Sequence, residues 1–378
     1  MRAEAPMTSV HSVLVSLLTP PGRGALAVVG VSGTEAAAIV DRAFAPRGAR
    51  PVAGRDDGAI AFGSWRATGE ELVVVRRRAN LVEVHCHGGL AAAAAVITSL
   101  VALGAEEVAW PRWLAAAGES QTVVEAHEAL AVAGGPKAAR ILARQAAGAL
   151  DAEMERIERW REAGDHAAAD AAARRLLRAA RVGLRLTRPW RVVLTGPVNA
   201  GKSSLVNALA GYSRSIVSPE PGTTRDLVEV RLVLGGWEVD LFDTAGLRRG
   251  GAAAGLIEQA GIGRAVAATE DADLVLQIVP ADATPPSVAT DDALLVLSKT
   301  DLAPIGHTWP ADAVLTSAAT GAGIADLAAV IVARLVPEER TAPDLLAGPV
   351  PFTQRQVDML EGHPMQSKPA YAAHTDST

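Results

Sequence analysis

Gly196-Pro197-Val198-Asn199-Ala200-Gly201-Lys202-Ser203 decides the reading of this 378-residue chain. An apolar run, Trp190 to Leu194, leads into it, and a run with helical spacing, Ser204 to Leu209, follows. Strand, glycine loop and helix are the context in which G-x-x-x-x-G-K-S binds phosphate. Gly196 and Gly201 permit a tight curl that turns successive backbone N–H groups inward. The positive end of the following helix dipole points at the same spot. Lys202 is placed to reach the β- and γ-phosphates, and the Ser203 hydroxyl to hold Mg²⁺. The plain alternative is a glycine turn that only joins a strand to a helix.

Four further motifs follow, each beside a predicted strand. Gly222-Thr223-Thr224-Arg225-Asp226 precedes one; a switch segment there offers a threonine to Mg²⁺ and the γ-phosphate, with Thr224 the candidate and Thr223 beside it on the nucleotide. Asp243-Thr244-Ala245-Gly246 ends a strand, where Asp243 would bind Mg²⁺ through water and the Gly246 N–H would contact the γ-phosphate. Ser298-Lys299-Thr300-Asp301 ends the next. A carboxylate at Asp301 accepts from both N1–H and the exocyclic amine of guanine, a pattern adenine lacks; Lys299 flanks the same nucleotide. Thr316-Ser317-Ala318 ends the last, where Ser317 and Ala318 would close over guanine O6 with a backbone N–H. Ser204 completes the contacts on the phosphate side.

Each motif alone is weak. Five in this order at strand ends predict a GTPase, at the edge where open α/β sheets bind ligands. Leu247 stands where many small GTPases carry the glutamine that orients water. Leucine cannot do that, so hydrolysis needs another water-positioning group and another source of positive charge.

Around these motifs, Thr187 to about Val336 alternates strand and helix, the pattern of a doubly wound, mostly parallel α/β sheet. Gly235-Gly236 between Val228–Leu234 and Trp237–Phe242 predicts a hairpin, and Ile324–Leu335 a closing helix. Residues 8 to about 115 read as a small α/β domain with strands at Val13–Leu18, Ala25–Val31, Leu72–Arg76 and Leu81–His85, and helices at Thr34–Ala43 and Leu90–Leu103. Two of its loops are rich in polar and turn residues, Pro20–Gly24 and Glu83–Gly89; both also suit ordinary tight turns. His85 and His87 share one strand face and Cys86 takes the other, which argues against a three-ligand metal site and makes Cys86 a core residue.

Ser120 to about Leu186 is helical in pattern, broken at Gly134-Gly135-Pro136 and Gly164-Asp165, which predicts two or three bundled helices. Arg174, Arg178, Arg181, Arg185 and Arg188 recur at helical spacing, either as an RNA-phosphate stripe or as a solvated face paired with glutamates of neighbouring helices. After Pro337 the chain is polar and proline-rich apart from a short helix at Thr353–Leu360, and disorder is expected over about its last fifteen residues.

Bulk composition narrows the function classes. Hydrophobic residues make up 49% and charged residues 21%, ordinary for a soluble globular protein. A net charge of −6 excludes a generally basic nucleic-acid coat, so any RNA contact is a local patch. The single cysteine excludes a disulfide framework and a Cys-rich zinc site, and fits a reducing cytoplasm. The run Val13–Leu18 is too short for a secretory core, and no other run approaches a membrane span. A cytoplasmic protein is expected.

Together with Thr19-Pro20-Pro21-Gly22-Arg23-Gly24 and His87-Gly88-Gly89, the motifs resemble the tRNA modification GTPase MnmE (TrmE) family, from the N-terminus to about Val336. The resemblance is most specific at Pro197–Ser204, Gly222–Asp226 and Asp243–Arg248. It implies four parts: a folate-binding and dimerising domain over residues 1–118, a shortened helical domain over 119–188, a GTPase domain over 189–336 inserted into it, and a partly disordered remnant of the helical domain over 337–378. The implied cofactors are GTP, Mg²⁺, K⁺ in place of an arginine finger, and a tetrahydrofolate derivative. Implied partners are a second copy of the chain, an MnmG-type flavoprotein and a tRNA modified at its wobble uridine. Asn199 matches the potassium ligand, Glu258 the glutamate that orients catalytic water, and Arg23 part of the folate site.

Three departures from the family pattern are evident. Ser298 stands where asparagine is usual, which predicts a lost amide contact to base and loop and binding weaker by about 1 kcal/mol. Arg249–Leu256 is longer than the usual switch and lacks its acidic residues. The family's terminal Cys-x-Gly-Lys motif does not occur in the sequence, and Cys86 cannot replace it by position. The first expectation is a GTP-hydrolysing protein of tRNA wobble-uridine modification with potassium-dependent G-domain dimerisation. The alternative is a GTP-dependent regulatory switch that binds a protein or ribosomal RNA without modifying tRNA.

Overall fold

The structure is a computed structural model and describes residues 13–22, 24–213, 230–243, 271–281, 293–303 and 308–362. The chain divides into two compact units, Met1–Glu128 and Ala129–Thr378.

The first unit is built on seven strands: β1 (Leu14–Leu17), β2 (Leu26–Ser32), β3 (Phe44–Pro46), β4 (Ala59–Trp65), β5 (Glu71–Arg78), β6 (Leu81–His87) and β7 (Glu106–Glu107). Their order across the sheet is β3-β4-β5-β6-β2-β1-β7, antiparallel throughout except for the parallel β1–β7 pair. Strict alternation sets the two faces. In β6, Val82, Val84 and Cys86 are buried while Glu83, His85 and His87 point the other way. The helices α1 (Ala36–Ala43) and α2 (Leu90–Ala102) supply Val40, Val96 and Leu100 to the same core as Val74 and Val84. Each such side chain contributes roughly 1.5–3 kcal/mol on burial. On α3 (Trp110–Ala116), Trp113 packs into a smaller cluster with Leu14 and Val108, over Gly30, where a Cβ would lie 2.4 Å from the indole.

The histidines serve local pairing. His85 Nε2 lies 3.0 Å and Arg77 Nη2 2.9 Å from Glu83 Oε2, and His87 Nδ1 lies 2.8 Å from Glu70 Oε1. Burial pushes the Glu83 carboxyl up, but its bonds to Arg77 and His85 outweigh that and hold it below its ordinary value. Cys86 is in the core as expected, its Sγ 3.6 Å from the Ala27 carbonyl. Among the described residues no group of three or more His, Cys, Asp or Glu is placed to hold a metal.

The second unit opens with helices. After α4 (Gln121–Ala131), within which the division between units falls, come α5 (Pro136–Ala146), α6 (Ala149–Glu162) and α7 (His166–Gly183). Four helices stand where two or three were expected, because Gly148 adds a break in the left-handed region at φ 87°. At the other break Gly164 has φ 80° and Asp165 caps α7, accepting from the Ala168 N–H at 3.0 Å. The arginine stripe is shorter than its spacing suggests. Helix α7 ends at Gly183, so Arg185 and Arg188 leave it. Arg181 pairs at 2.6 Å with Glu338, the first residue of a short neighbouring helix, as the second reading of the stripe expects, whereas the partner of Arg185 is Asp273, just before a strand.

The sheet of this unit contains β8 (Trp190–Thr195), β9 (Val230–Leu234), β10 (Trp237–Asp243), β11 (Leu274–Pro280), β12 (Ala293–Ser298) and β13 (Val314–Leu315), in the order β13-β12-β11-β8-β10-β9. Only the β9–β10 hairpin is antiparallel; its turn, Gly235-Gly236, has positive φ at both residues, as a two-residue hairpin turn requires. The parallel strands are near-continuous apolar runs, because α8 (Lys202–Ser213) and α9 (Ile324–Leu335) cover them. The hairpin tip meets the start of α5, where Lys137 N–H donates to the Gly236 carbonyl at 3.2 Å. Glu339 accepts from both Lys137 Nζ at 2.6 Å and Trp237 Nε1 at 2.9 Å.

Beyond Val336 the chain stays ordered on the bundle through short helices at Glu338–Thr341 and Pro343–Ala347 and a third at Gln354–Glu361, which Thr353 and Gln356 start with a capping box. Gln145, fully buried on α5, fixes this strap: its amide donates to the Ile141 and Gly348 carbonyls at 2.9 and 3.3 Å and accepts from the Val350 N–H at 3.4 Å. The expected disorder of the last residues concerns 363–378, outside the described residues. No described helix is long and apolar enough to cross a membrane.

Candidate functional site

The carboxyl ends of β8, β10, β11, β12 and β13 form one edge, and there lie the described members of the phosphate loop, Asp243 and the Ser298–Asp301 and Thr316–Ala318 segments. The phosphate loop leaves β8 between β10 and β11, where the sheet's strand order changes direction. Gly196, at φ 139°, passes so close to β11 that a Cβ would sit 2.2 Å from the Ile278 carbonyl, so no side chain fits. Gly201 has φ 89° and Asn199, unusually for a non-glycine, φ 62°. Ala200 is buried beneath the curl, while Asn199 is exposed at its rim. Helix α8 starts at Lys202, whose Nζ donates to the Gly196 and Pro197 carbonyls at 3.0 and 2.9 Å. The amine is thus held inside the loop at the position where a phosphate would replace the carbonyls as its partner.

Ser203, the next residue, donates from its hydroxyl to Asp243 Oδ2 at 2.8 Å. Asp243 ends β10 and is buried. Two oxygen donors at that separation beside a phosphate loop suit a hard cation such as Mg²⁺, which is bound through one or two carboxylates or hydroxyls plus substrate phosphates.

On the other side of the loop lies a cavity of about 250 Å³ lined by Gly201, Ser204, Ser298, Lys299, Asp301 and Ala318, with Leu205, Leu302, Thr316 and Ala319 completing it. Lys299 turns the chain with φ 58°, which puts Asp301 on the short helical turn Thr300–Leu302 at the cavity wall. Thr316 is buried and ties this wall together: its hydroxyl donates to the Leu297 carbonyl at 3.1 Å and its carbonyl accepts from the Thr300 N–H at 3.2 Å. Ser317, also buried, accepts from the Thr320 N–H at 3.2 Å and so shapes the loop that carries Ala318.

Ser298 corrects one expectation. The shorter side chain does not forfeit contact with the phosphate loop, because its hydroxyl donates to the Ala200 carbonyl at 2.6 Å. Sequence spacing gives no sign of that bond, which spans 98 positions. Leu205 and Ala319 were likewise not foreseen as lining residues.

In the first unit, Gly88 N–H donates to the Ala25 carbonyl at 3.0 Å, and a Cβ on Gly88 would lie 1.8 Å from the Gly24 carbonyl. This close approach brings the two turn-rich loops together around a cavity of about 340 Å³ lined by Thr19, Pro20, Pro21, Gly22, Gly89 and Leu90 among others. Arg23, Thr223, Thr224, Gly246, Leu247 and Glu258 lie outside the described residues, as does all of Arg249–Leu256.

A family described as 50S ribosome-binding GTPase matches residues 191–305. The tRNA modification GTPase MnmE of Methylorubrum populi is 37% identical, the match covering 80% of this chain and 76% of that protein. That of Thermus thermophilus is 32% identical over 92% of this chain and 86% of its own. The chain belongs to the tRNA modification GTPase MnmE family. A third MnmE, from Xanthomonas campestris pv. campestris, is 34% identical with 85% and 80% covered. Among solved structures, the G domain of the T. maritima FeoB iron transporter aligns at 24% identity over 39% of this chain and 99% of its own, with a TM-score of 0.25.

Within this MnmE family member, both the phosphate loop and the base-side cavity belong to the second unit, and the loop-bounded cavity at Thr19–Gly22 belongs to the first.

Proposed function

We propose that the chain binds GTP with Mg²⁺ at the edge of the second sheet, hydrolyses it to GDP and phosphate, and acts in tRNA modification as its MnmE relatives are named for. The observation that carries this reading is the convergence of Lys202, the Ser203–Asp243 pair and the Asp301 cavity on one strand edge. Loop N–H groups and the α8 dipole receive the phosphates, and Lys202 exchanges the Gly196 and Pro197 carbonyls for phosphate oxygens. Ser203 and Asp243 hold the cation, which neutralises charge developing on the transferred phosphoryl group. Asp301 accepts from the guanine edge, and the Ala318 N–H donates to O6.

The finer parts of the reading follow from family membership and local geometry. Potassium sits at Asn199, whose exposed position on the loop rim favours a cation shared with a second G domain across a homodimer. Thr224 and Thr223 close on Mg²⁺ and the γ-phosphate, the Gly246 N–H joins them, and Glu258 orients water. A tetrahydrofolate derivative occupies the first-unit cavity, whose volume and Gly- and Pro-rich walls favour a flat heterocycle, and Arg23 belongs to the folate contacts that family membership implies. Domains end near residues 118, 188 and 336, and an MnmG-type flavoprotein shares the tRNA reaction in the cytoplasm.

Expression in cells lacking MnmE, with wobble-uridine modification as readout, tests the whole. Restored modification supports it. Intact GTP hydrolysis without restoration selects the second reading, a regulatory switch on a protein or ribosomal RNA partner, which the description of the family matching residues 191–305 favours.

A further inference from the structure

We infer that the arginines which α5 and α7 present around the chain segment 343–348 form a docking surface for the phosphodiester backbone of tRNA. The choice of tRNA rests on the reading above; the surface itself rests on charge and exposure.

Between Asp170 and Thr195 the chain carries seven arginines and no carboxylate, in a protein whose net charge is −6. The fold uses some of them. Arg181 and Arg185 pair with Glu338 and Asp273, and both lie over the Trp190 ring. Arg175 donates to the Asp344 carbonyl at 3.1 Å, and Arg144 of α5 donates to the Leu346 carbonyl, so guanidiniums from two helices hold the same short helix, Pro343–Ala347. A carbonyl carries no net charge, so neither guanidinium is neutralised there. Asp344, the one carboxylate of that short helix, enters no ion pair.

Arg140, Arg174 and Arg178 are left over. Each is exposed, and among the described residues none makes an ion pair or a side-chain hydrogen bond. Arg140 stands one turn before Arg144, and its charge adds to burial in holding the Arg144 guanidinium below its ordinary value. Arg174 and Arg178 lie one turn apart on α7, about 6 Å along its axis, and flank Arg175. Asp170, a turn before Arg174, does not pair with it. Positive charges gathered in this way repel one another in the free protein, and a polyanion relieves them.

The chemistry of the face selects the partner. None of the large apolar side chains exposed among the described residues lies on α5, α7 or the 343–347 helix. The face therefore lacks the groups that insert into a lipid surface or anchor a protein interface. Guanidiniums match phosphate oxygens with a planar fork of donors. Such contacts fix where an RNA backbone lies without reading its sequence.

Binding of the full-length chain to an unmodified tRNA transcript, followed across a salt series, tests the surface. Replacing Arg140, Arg174 and Arg178 together by Gln should weaken binding at least about tenfold at moderate salt. It should also lower the slope of log affinity against log salt by about 2 to 3, roughly one per lost phosphate contact. GTP hydrolysis and the thermal midpoint should stay at wild-type values, because none of the three holds a contact within the fold. The same three positions changed to Lys, which keeps the charge, should keep the slope. Arg159→Gln, at an exposed arginine of α6, should leave slope and affinity unchanged. A wild-type slope in the triple Gln variant, or a slope lowered by about one in Arg159→Gln, overturns the surface. Wild-type binding to phosphatidylserine vesicles but not to tRNA would assign the face to a membrane and overturn it as well. A wild type that binds neither overturns the surface and, with GTP hydrolysis intact, counts against the tRNA reading but not against the GTPase one.

Discussion

Ser203 and Asp243 are joined by a hydrogen bond of 2.8 Å although 40 positions separate them, one on the first turn of α8 and the other at the end of β10. The bond aligns two oxygen donors from different elements on one point beside the phosphate loop. Ser203→Ala should raise the Mg²⁺ concentration for half-maximal hydrolysis on the order of tenfold, as expected for a lost contact to a charged partner. An unchanged Mg²⁺ titration would remove Ser203 from the cation site.

Lys202 is held by two loop carbonyls in a nearly buried position, so its charge is already aimed at the place where phosphate enters. Lys202→Ala should lower kcat for GTP at least about a hundredfold, since preorganised charge at a transferring phosphoryl group is worth that much. Single-turnover hydrolysis is the direct readout, and a wild-type rate would refute the phosphate-loop assignment.

Asp301 sits at the wall of the base cavity, on the turn that Lys299 creates. Asp301→Asn reverses an acceptor into a donor–acceptor pair and should move preference from GTP toward xanthosine triphosphate. Competition between the two nucleotides measures this directly; retained GTP preference would mean that another group reads the base.

Asn199 is presented at the loop rim with φ 62°. Hydrolysis should be faster in K⁺ than in Na⁺ at equal ionic strength, and Asn199→Ala should erase the difference. Equal rates of the wild type in the two salts would count against a potassium ligand there.

Glu338 gives the pH dependence a sign. Burial pushes its carboxyl up, but the Arg181 hydrogen bond, a backbone hydrogen bond and the Arg181 charge together outweigh burial and hold it below its ordinary 4.5. A depressed folded value contributes stability above the unfolded value, and that contribution is lost as pH falls from about 4.5 through the folded value. Arg181→Gln should therefore lower the thermal midpoint at pH 7 by on the order of 2 °C, and the gap from wild type should narrow in acid. A gap that stays constant down to pH 3 (roughly one unit below an ordinary carboxylate) would assign the loss to the Arg181–Leu335 carbonyl bond instead.

Much of the site was legible because its residues are local in sequence. Gly196, Gly201, Lys202 and Ser203 act through one turn, and a turn's requirements are written in consecutive residues. Asp243, Ser298 and Thr316 were placed by the apolar runs that precede them, which reliably mark buried parallel strands. What escaped has a common cause. The strands β3 and β4 lack a long alternating run; β3 has three residues, and β4 carries Gly63, where a Cβ would lie 2.2 Å from the Ala45 carbonyl. The break at Gly148 sits in an alanine-rich stretch whose composition favours helix on both sides. The Ser298–Ala200 and Arg181–Glu338 bonds span 98 and 157 positions, and only the folded sheet and bundle bring such pairs together.

Cys86 has a practical corollary. It is the single cysteine in the sequence, 1% exposed, and burial, helped by the nearby Glu70 charge, pushes its thiol up. A protonated, covered thiol does not react with maleimides. The native chain therefore needs no cysteine removed before a spectroscopic label is attached at a chosen surface position such as Tyr212→Cys. The natural thiol stays silent until the first sheet opens, so its labelling rate under native conditions times the unfolding of that unit separately from the nucleotide-binding one.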